Sequence, residues 1–207
     1  MRLHFGSIPE NTEFQASGDW VAAREPPAWL VQWVLSVPVS ILLALLAAMF
    51  IIRYTKISSE GLSLAGLLLL SFVLVVVHEL VHVVTHPDRG MSRRTILGFW
   101  PSRLVFFAHY DGPRTKSNFL LCLIAPFLVL TVAPLIASTT ASWDSWVIGT
   151  VMILNAALSS IDVLGFFFVL VGVPGGAWVQ NRGWHTYWKH PHNKPLQHSA
   201  REDAPSG

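Results

Sequence analysis

The residues best suited to chemistry in this sequence are two histidines and a glutamate in the segment His78-Glu79-Leu80-Val81-His82. Histidines four residues apart on a helix lie one turn apart on the same face, so both imidazoles can bind one metal ion. A glutamate next to the first ligand can take a proton from water that the metal activates. The spacing predicts a zinc site with His78 and His82 as ligands and Glu79 as the general base of a hydrolytic reaction.

The same motif ends a long apolar segment, Leu62 to Val84. A charged group in the middle of a membrane span costs about 2.5–3.5 kcal/mol, so ionisable residues are found there when they are paired or serve a site. We therefore predict that the zinc site lies inside a transmembrane helix. The alternative interpretation is a pair of buried histidines that bond to backbone carbonyl groups of neighbouring helices.

A catalytic zinc ion usually has a third protein ligand, and Asp162 is the main candidate. Apart from Glu79 it is the only acidic residue inside a predicted span. His78 and Asp162 each lie about 16 residues into spans that run in the same direction, so at about 1.5 Å per residue they reach a similar depth. Alternatively, Asp162 is hydrogen-bonded to Ser159 or Asn155 without a metal.

Two other residues are possible third ligands. His86 continues the four-residue series, but three successive turns of one straight helix cannot surround a tetrahedral ion. Asp88 follows His82 by six residues, a spacing used by soluble zincins, although Thr85 stands where those proteins have a glycine at the bend.

Asn155 and Ser159 share a helix face with Asp162 and are predicted to contact the ligands or the substrate. Small and polar residues in spans also serve helix packing, which is the alternative. His109 and Asp111, between the second and third spans, are predicted to be solvated, and so are the histidines of the C-terminal tail.

The composition is that of a membrane protein. Hydrophobic residues make up 52% and charged residues 13% of the 207 residues, against about 25% charged in soluble domains. Four apolar segments reach the length of about 20 residues that a transmembrane helix needs, and they cover 28–52, 62–84, 118–137 and 146–173. We predict an all-α membrane protein with four transmembrane helices.

The positive charges predict the orientation, because cytoplasmic loops carry an excess of Lys and Arg. With both termini cytoplasmic, twelve of the fourteen positive residues lie inside, and only Arg53 and Lys56 lie outside. The twelve are Arg2, Arg24, Arg89, Arg93, Arg94, Arg103, Arg114, Lys116, Arg182, Lys189, Lys194 and Arg201.

Three regions are therefore expected: a polar N-terminal segment (1–27), a four-span domain (28–173) and a cytoplasmic tail (174–207) that is disordered from about residue 191. Between spans two and three, the segment 103–110 is rich in residues that favour strands and is flanked by turn signals. We predict a short strand or hairpin there, at the membrane face.

Several segments together resemble a known family: His78–His82, Phe106–Pro113, Ala125-Pro126, Asn155–Asp162 and Pro174–Trp184. They are similar to the small zincin peptidases of bacterial and archaeal membranes, over about residues 60–190. The resemblance implies kinship with site-2-protease-like intramembrane metalloproteases. In those enzymes an Asp of a later span is the third zinc ligand, which Asp162 matches. An edge strand beside the site presents the substrate, which 103–110 matches.

We therefore predict a zinc-dependent endopeptidase that cleaves membrane proteins or peptides near the cytoplasmic face of the bilayer. The main alternative is a catalytically inactive scaffold or chaperone that retains the site. A di-iron oxidase is disfavoured, because such enzymes need several histidine motifs and this chain has one. Nucleic acid is not an expected partner, because the chain lacks a basic stripe with interleaved aromatic residues. The sequence reveals neither the substrate nor the oligomeric state.

Overall fold

Long apolar helices dominate the structure. The computed structural model describes residues 1–10, 14, 18–26, 29–54, 61, 63–140 and 146–190. The predicted disorder from about residue 191 lies outside the described residues, as do Lys56, Lys194 and Arg201. The helices are α1 (Trp29–Tyr54), α2 (Leu64–Thr85), α3 (Lys116–Phe127), α4 (Ala133–Ser138), α5 (Trp146–Leu158) and α6 (Ser160–Gly172).

Three helical segments of the described chain are long and apolar enough to cross a membrane: Val31–Tyr54, Leu64–Thr85 and Lys116–Ser138. The third joins α3 to α4 through a π-helical turn, Leu128–Val132. Their outer faces expose large apolar side chains, among them Met49 and Leu69. Such a surface is unusual for a soluble monomer and suits contact with lipid.

A fourth span is formed only if α5 and α6 are counted together, since they are bent by 46°. The sequence predicts one helix over 146–173, whereas the structure interrupts it at Ser159, whose ψ is 0°. Buried Ser159 also receives a hydrogen bond from the Asn155 side chain, at 3.4 Å. The bend therefore lies among polar side chains, three residues before Asp162.

The described chain also contains two small sheets. The first has the order β1 (Arg2–Phe5), β3 (Thr95–Trp100), β4 (Val105–Tyr110), with β1 parallel and β4 antiparallel to β3. The second has the order β2 (Val21–Ala22), β7 (His185–Lys189), β6 (Trp178–Arg182), β5 (Arg114–Thr115).

The strands extend well beyond the predicted β element. A hairpin of β3 and β4 lies between α2 and α3, but strands also form in the N-terminal segment and in the region predicted as a tail. The N-terminal strands β1 and β2 pair with segments far away in the chain, and such pairing leaves no local pattern in the sequence. By contrast, β6 and β7 form a local hairpin with each other in the region predicted as a tail. An all-α description is therefore incomplete.

The N-terminal segment is tied to the second sheet. The backbone N–H of Ala23 donates to Thr186 O at 2.8 Å, and Glu25 Oε1 accepts from Thr186 N at 2.6 Å. Burial raises the pKa of the Glu25 carboxyl above its ordinary value. Below this sheet, a small core joins α3, α6 and β6; its buried members are Phe119, Val169, Val173, Ala177 and Val179.

A row of aromatic rings connects the first sheet to α2. Phe5 lies 5.9 Å from Phe99, and Phe99 lies 4.5 Å from Phe106 on the next strand. Phe106 contacts Phe72 of α2 edge-on, with ring centroids 5.9 Å apart. These contacts hold β4 against the helix that carries the histidine pair.

The pairing of β3 with β4 depends on a glycine. Gly98 faces Phe107 across the hairpin, and a Cβ at Gly98 would overlap the ring, with 2.7 Å to Cε2. We expect Gly98→Ala to destabilise the protein by about 1–3 kcal/mol, because the buried ring has to move. Thermal unfolding in detergent measures this. The control is Gly175→Ala, where an added Cβ meets nothing within 4 Å; equal melting temperatures for both variants would contradict the expectation.

Candidate metal centre

His78 and His82 lie on the buried face of α2 and point at the same carboxylate. Asp162 Oδ2 on α6 lies 3.1 Å from His78 Nε2 and 3.5 Å from His82 Nε2. One ligand atom from each of the three residues falls within 4.8 Å of the others. The bend at Ser159 makes this possible, because it redirects the start of α6, where Asp162 lies, relative to α5.

The spacing of the three donors fits zinc. Ligand atoms about 2.0–2.1 Å from a tetrahedral ion are about 3.3 Å apart, and the observed separations of 3.1 and 3.5 Å lie on either side of this value. Two imidazole nitrogens and one carboxylate oxygen are also a known donor set for catalytic zinc, which leaves a fourth position for water. The residues present therefore fit the metal.

Both imidazoles are oriented by bonds on the far side of the ring. His82 Nδ1 lies 2.8 Å from the backbone oxygen of Cys122, and His78 Nδ1 lies 3.0 Å from Asn155 Oδ1. A carbonyl oxygen only accepts, so each Nδ1 carries the proton and donates it. Each Nε2 then has a free lone pair directed at the metal position, as expected of a histidine ligand.

Asn155 is itself held in one orientation. Its Nδ2 donates to Pro126 O and to Thr131 Oγ1, both at 3.0 Å. Because the Pro126 carbonyl can only accept, the amide nitrogen must point there and Oδ1 must point at His78. Asn155 is completely buried, so this network fixes the ring of His78 from α5 and α3.

The acceptor for His82 comes from an irregular helix. Pro126 lies inside α3 and has no N–H, so the usual helical bond to the carbonyl four residues earlier, that of Cys122, cannot form. That carbonyl is the one that accepts from His82. The π-helical turn that begins at Leu128 follows at once, a distortion often found at functional sites.

Glu79 is placed to act on a group at the metal. It lines the same cavity of about 330 Å³ as His78, His82 and Asp162. Ala108 on β4 lines this cavity as well. The cavity is bordered by residues 104–109 of the hairpin, and β4 is an edge strand of its sheet. Glu79 therefore shares one cavity with the cluster of possible metal ligands and with an edge strand.

Comparison with known protein families agrees with this geometry. Residues 71–178, just over half of the chain, match a family described as "Putative zincin peptidase". The chain belongs to this family. No curated protein and no solved structure matches the chain.

The family's zinc peptidase description accords with the cluster of metal ligands. The matched region contains all three members of the cluster, Glu79 and the hairpin of β3 and β4. Among the described residues, the cluster of ligand atoms includes neither His86 nor Asp88. His86 instead bonds Thr95 Oγ1 at 3.3 Å, and Asp88 lies in a short turn with a positive φ of 61°.

Some residues of the site carried no recognised signal in the sequence. Thr131 and the carbonyl of Cys122 act on the site through contacts between helices. Pro126 offered a signal, because a proline inside a span exposes a carbonyl one turn earlier. His109 was predicted to be solvated, and this is wrong: the side chain is buried by the packing of β4.

Asn155 provides a test of the orienting network. We expect Asn155→Leu to lower zinc affinity about 10–100-fold, because His78 loses the acceptor that fixes its ring. Competition with a chromogenic chelator measures this on purified protein. Thr131→Val is the matched control, since it removes one partner of Asn155 and leaves the contact with His78. If the Asn155→Leu protein binds zinc as tightly as the control, the result would count against an orienting role.

Proposed function

We propose that this protein is a zinc-dependent endopeptidase that cleaves peptide bonds at the membrane, near its cytoplasmic face. The observation that carries the proposal is the convergence of His78, His82 and Asp162 beside Glu79 within one cavity. The same donor set on apolar helices supports kinship with site-2-protease-like enzymes. Membership of the zincin peptidase family supports the reaction type.

The chemistry divides between the ligands and the base. His78, His82 and Asp162 would hold the zinc ion, which would supply Lewis-acid activation of water and of the scissile carbonyl. Glu79 takes a proton from the attacking water and then passes it to the leaving amine nitrogen. Asn155 and the Cys122 carbonyl keep the imidazoles in the tautomer that presents Nε2 to the metal. Ser159 supports Asn155.

The edge of β4 provides a place for the substrate. An extended peptide can add to an exposed strand edge by backbone hydrogen bonds, and β4 is an edge strand of its sheet next to Glu79. A peptide in helical form hides its carbonyl groups in its own hydrogen bonds. The substrate segment therefore binds as a strand, so a helical membrane segment unwinds before cleavage.

The proposed roles of Glu79 and Asp162 can be separated. We expect Glu79→Gln to keep zinc and to lose about 10²–10⁴-fold in turnover, because it removes proton transfer alone. We expect Asp162→Ala to lose zinc more severely than the 10–100-fold typical of an outer-shell change. Zinc content by mass spectrometry and cleavage of a reporter peptide in detergent measure the two effects.

The control for the ligand assignment is Asp88→Asn, which should bind zinc like the unsubstituted chain. Loss of zinc in that variant, with retention in Asp162→Ala, would reject Asp162 in favour of Asp88. An unsubstituted protein that binds zinc but cleaves no peptide would favour the scaffold alternative.

The proposed orientation places both termini in the cytoplasm, since most Lys and Arg residues lie in the segments that this orientation puts inside. A reporter enzyme active only in the cytoplasm should be active when fused after Gly207 or before Met1. Fusion after Arg53, at the end of α1, should give an inactive reporter. The reverse pattern would invert the topology and place the site near the outer face.

A further inference from the structure

The cavity that holds the metal cluster also contains a buried arginine. Arg114, on β5, lines the cavity and is 8% exposed. Its Nη1 is buried without a hydrogen-bond partner, and no carboxylate of the described residues lies within salt-bridge distance of its guanidinium. A buried charge without a partner is costly, so this guanidinium is suited to bind an anion.

Two aromatic rings lie near the Arg114 guanidinium and limit the directions from which a ligand can reach it. The ring of Phe119 lies 4.4 Å from Arg114 Cζ, and the ring of Tyr110 lies 5.9 Å away. Rings stacked on the faces of a guanidinium leave the N–H groups at its edge available. Two parallel N–H groups match the two oxygens of a carboxylate, which favours a planar ligand.

A histidine that lines the same cavity as Arg114 offers a second donor. His109 lines the cavity, is buried, and has an unpartnered Nε2. Burial, followed by the nearby charge of Arg114, lowers the pKa of His109 to about 4. The imidazole is therefore neutral at physiological pH, and its Nε2 can donate one hydrogen bond without adding charge.

Arg114 lies close to the metal cluster. The chain continues from Arg114 into α3, whose Phe119 and Cys122 line the same cavity, and the carbonyl of Cys122 accepts from His82. From Arg114 to Cys122 the chain makes two extended steps of about 3.3 Å and six helical steps of about 1.5 Å, which together span at most about 16 Å. An extended peptide covers that distance in at most about five residues.

We propose that Arg114 and His109 form a subsite that binds a carboxylate of the peptide substrate, within about five residues of the scissile bond. This inference rests on the proposed peptidase function and specifies its substrate. The carboxylate belongs either to the C-terminus of the substrate or to an Asp or Glu side chain.

The charge of the cavity favours a carboxylate over a phosphate. Arg114 is the single Lys or Arg among the described residues that line it, whereas Glu25, Glu79 and Asp162 contribute carboxyl groups. One guanidinium balances the single charge of a carboxylate. A phosphate group would bring up to two charges into a cavity with one fixed cation.

Binding to the zinc-loaded Glu79→Gln protein tests the subsite without turnover. The probes are fluorescent Ala/Leu peptides of four to ten residues with a free C-terminus, the same peptides as carboxamides, and carboxamides with one internal Glu. We expect a carboxylate-bearing peptide to bind about 10–100-fold more tightly than its neutral counterpart, the range for a charge-assisted hydrogen bond. Equal binding of all three sets would overturn the inference.

The preference should depend on Arg114. Introduced into the same Glu79→Gln background, Arg114→Gln should weaken binding of the carboxylate peptide and leave carboxamide binding unchanged. Arg94→Gln is the matched control, an exposed arginine of the same connection. A preference that survives Arg114→Gln would reject Arg114 as the donor. The comparison of carboxylate peptides with carboxamide peptides uses a protein with intact Arg114. It therefore tests the subsite even if the Arg114→Gln protein does not fold.

The three sets of peptides distinguish a C-terminal carboxylate from a side-chain carboxylate. Zinc removal and cleavage assays distinguish failure of the subsite from failure of the peptidase function. Tight binding confined to free C-termini identifies the C-terminus, and tight binding of the Glu carboxamides identifies a side chain. A preference that persists after removal of zinc, together with no cleavage of any peptide by the unsubstituted zinc-loaded protein, would support the subsite and reject the peptidase function. Zinc-dependent cleavage without any preference would reject the subsite alone.

Discussion

Two imidazoles are buried on an apolar helix, and each of their ring nitrogens needs a hydrogen-bond or metal partner. The rest of the structure depends on this requirement. Each Nε2 of His78 and His82 faces Asp162, and each Nδ1 needs an acceptor in a region without bulk water. An unpartnered polar atom in such surroundings costs free energy comparable to a lost hydrogen bond. The acceptors come from α3 and α5, so these helices must pack against α2 in one register.

Irregular helices supply the hydrogen-bond acceptors and the helix direction that the site needs and that regular helices cannot provide. A regular helix uses its own carbonyl groups, and it offers no acceptor to a neighbour without competition. Pro126 removes the bond that would occupy the Cys122 carbonyl, and the carbonyl of Pro126 itself accepts from Asn155. The break at Ser159 turns α6 so that Asp162 meets the histidines. Pro126 lies one turn after Cys122, and Ser159 lies three residues before Asp162, so both departures from regular geometry border residues that contact the histidine pair.

The two sheets enclose the site from the side that the helices leave open. The aromatic row from Phe5 to Phe72 holds the edge strand β4 near Glu79. The second sheet holds β5, and thus Arg114, at the start of α3. The N-terminal segment contributes a strand to each sheet, so residues distant from the motif in sequence determine the shape of the cavity.

The sequence by itself determined what depends on local pattern. The four-residue spacing of His78 and His82, the adjacent Glu79 and the apolar runs follow from helix geometry and from the length a membrane span requires. Asp162 could be singled out because an acidic residue is rare in an apolar span. The partners of each Nδ1, the bend at Ser159 and the burial of Arg114 were decided only by the tertiary structure. They depend on contacts between segments as many as 77 residues apart, and such contacts follow from packing rather than from any local periodicity.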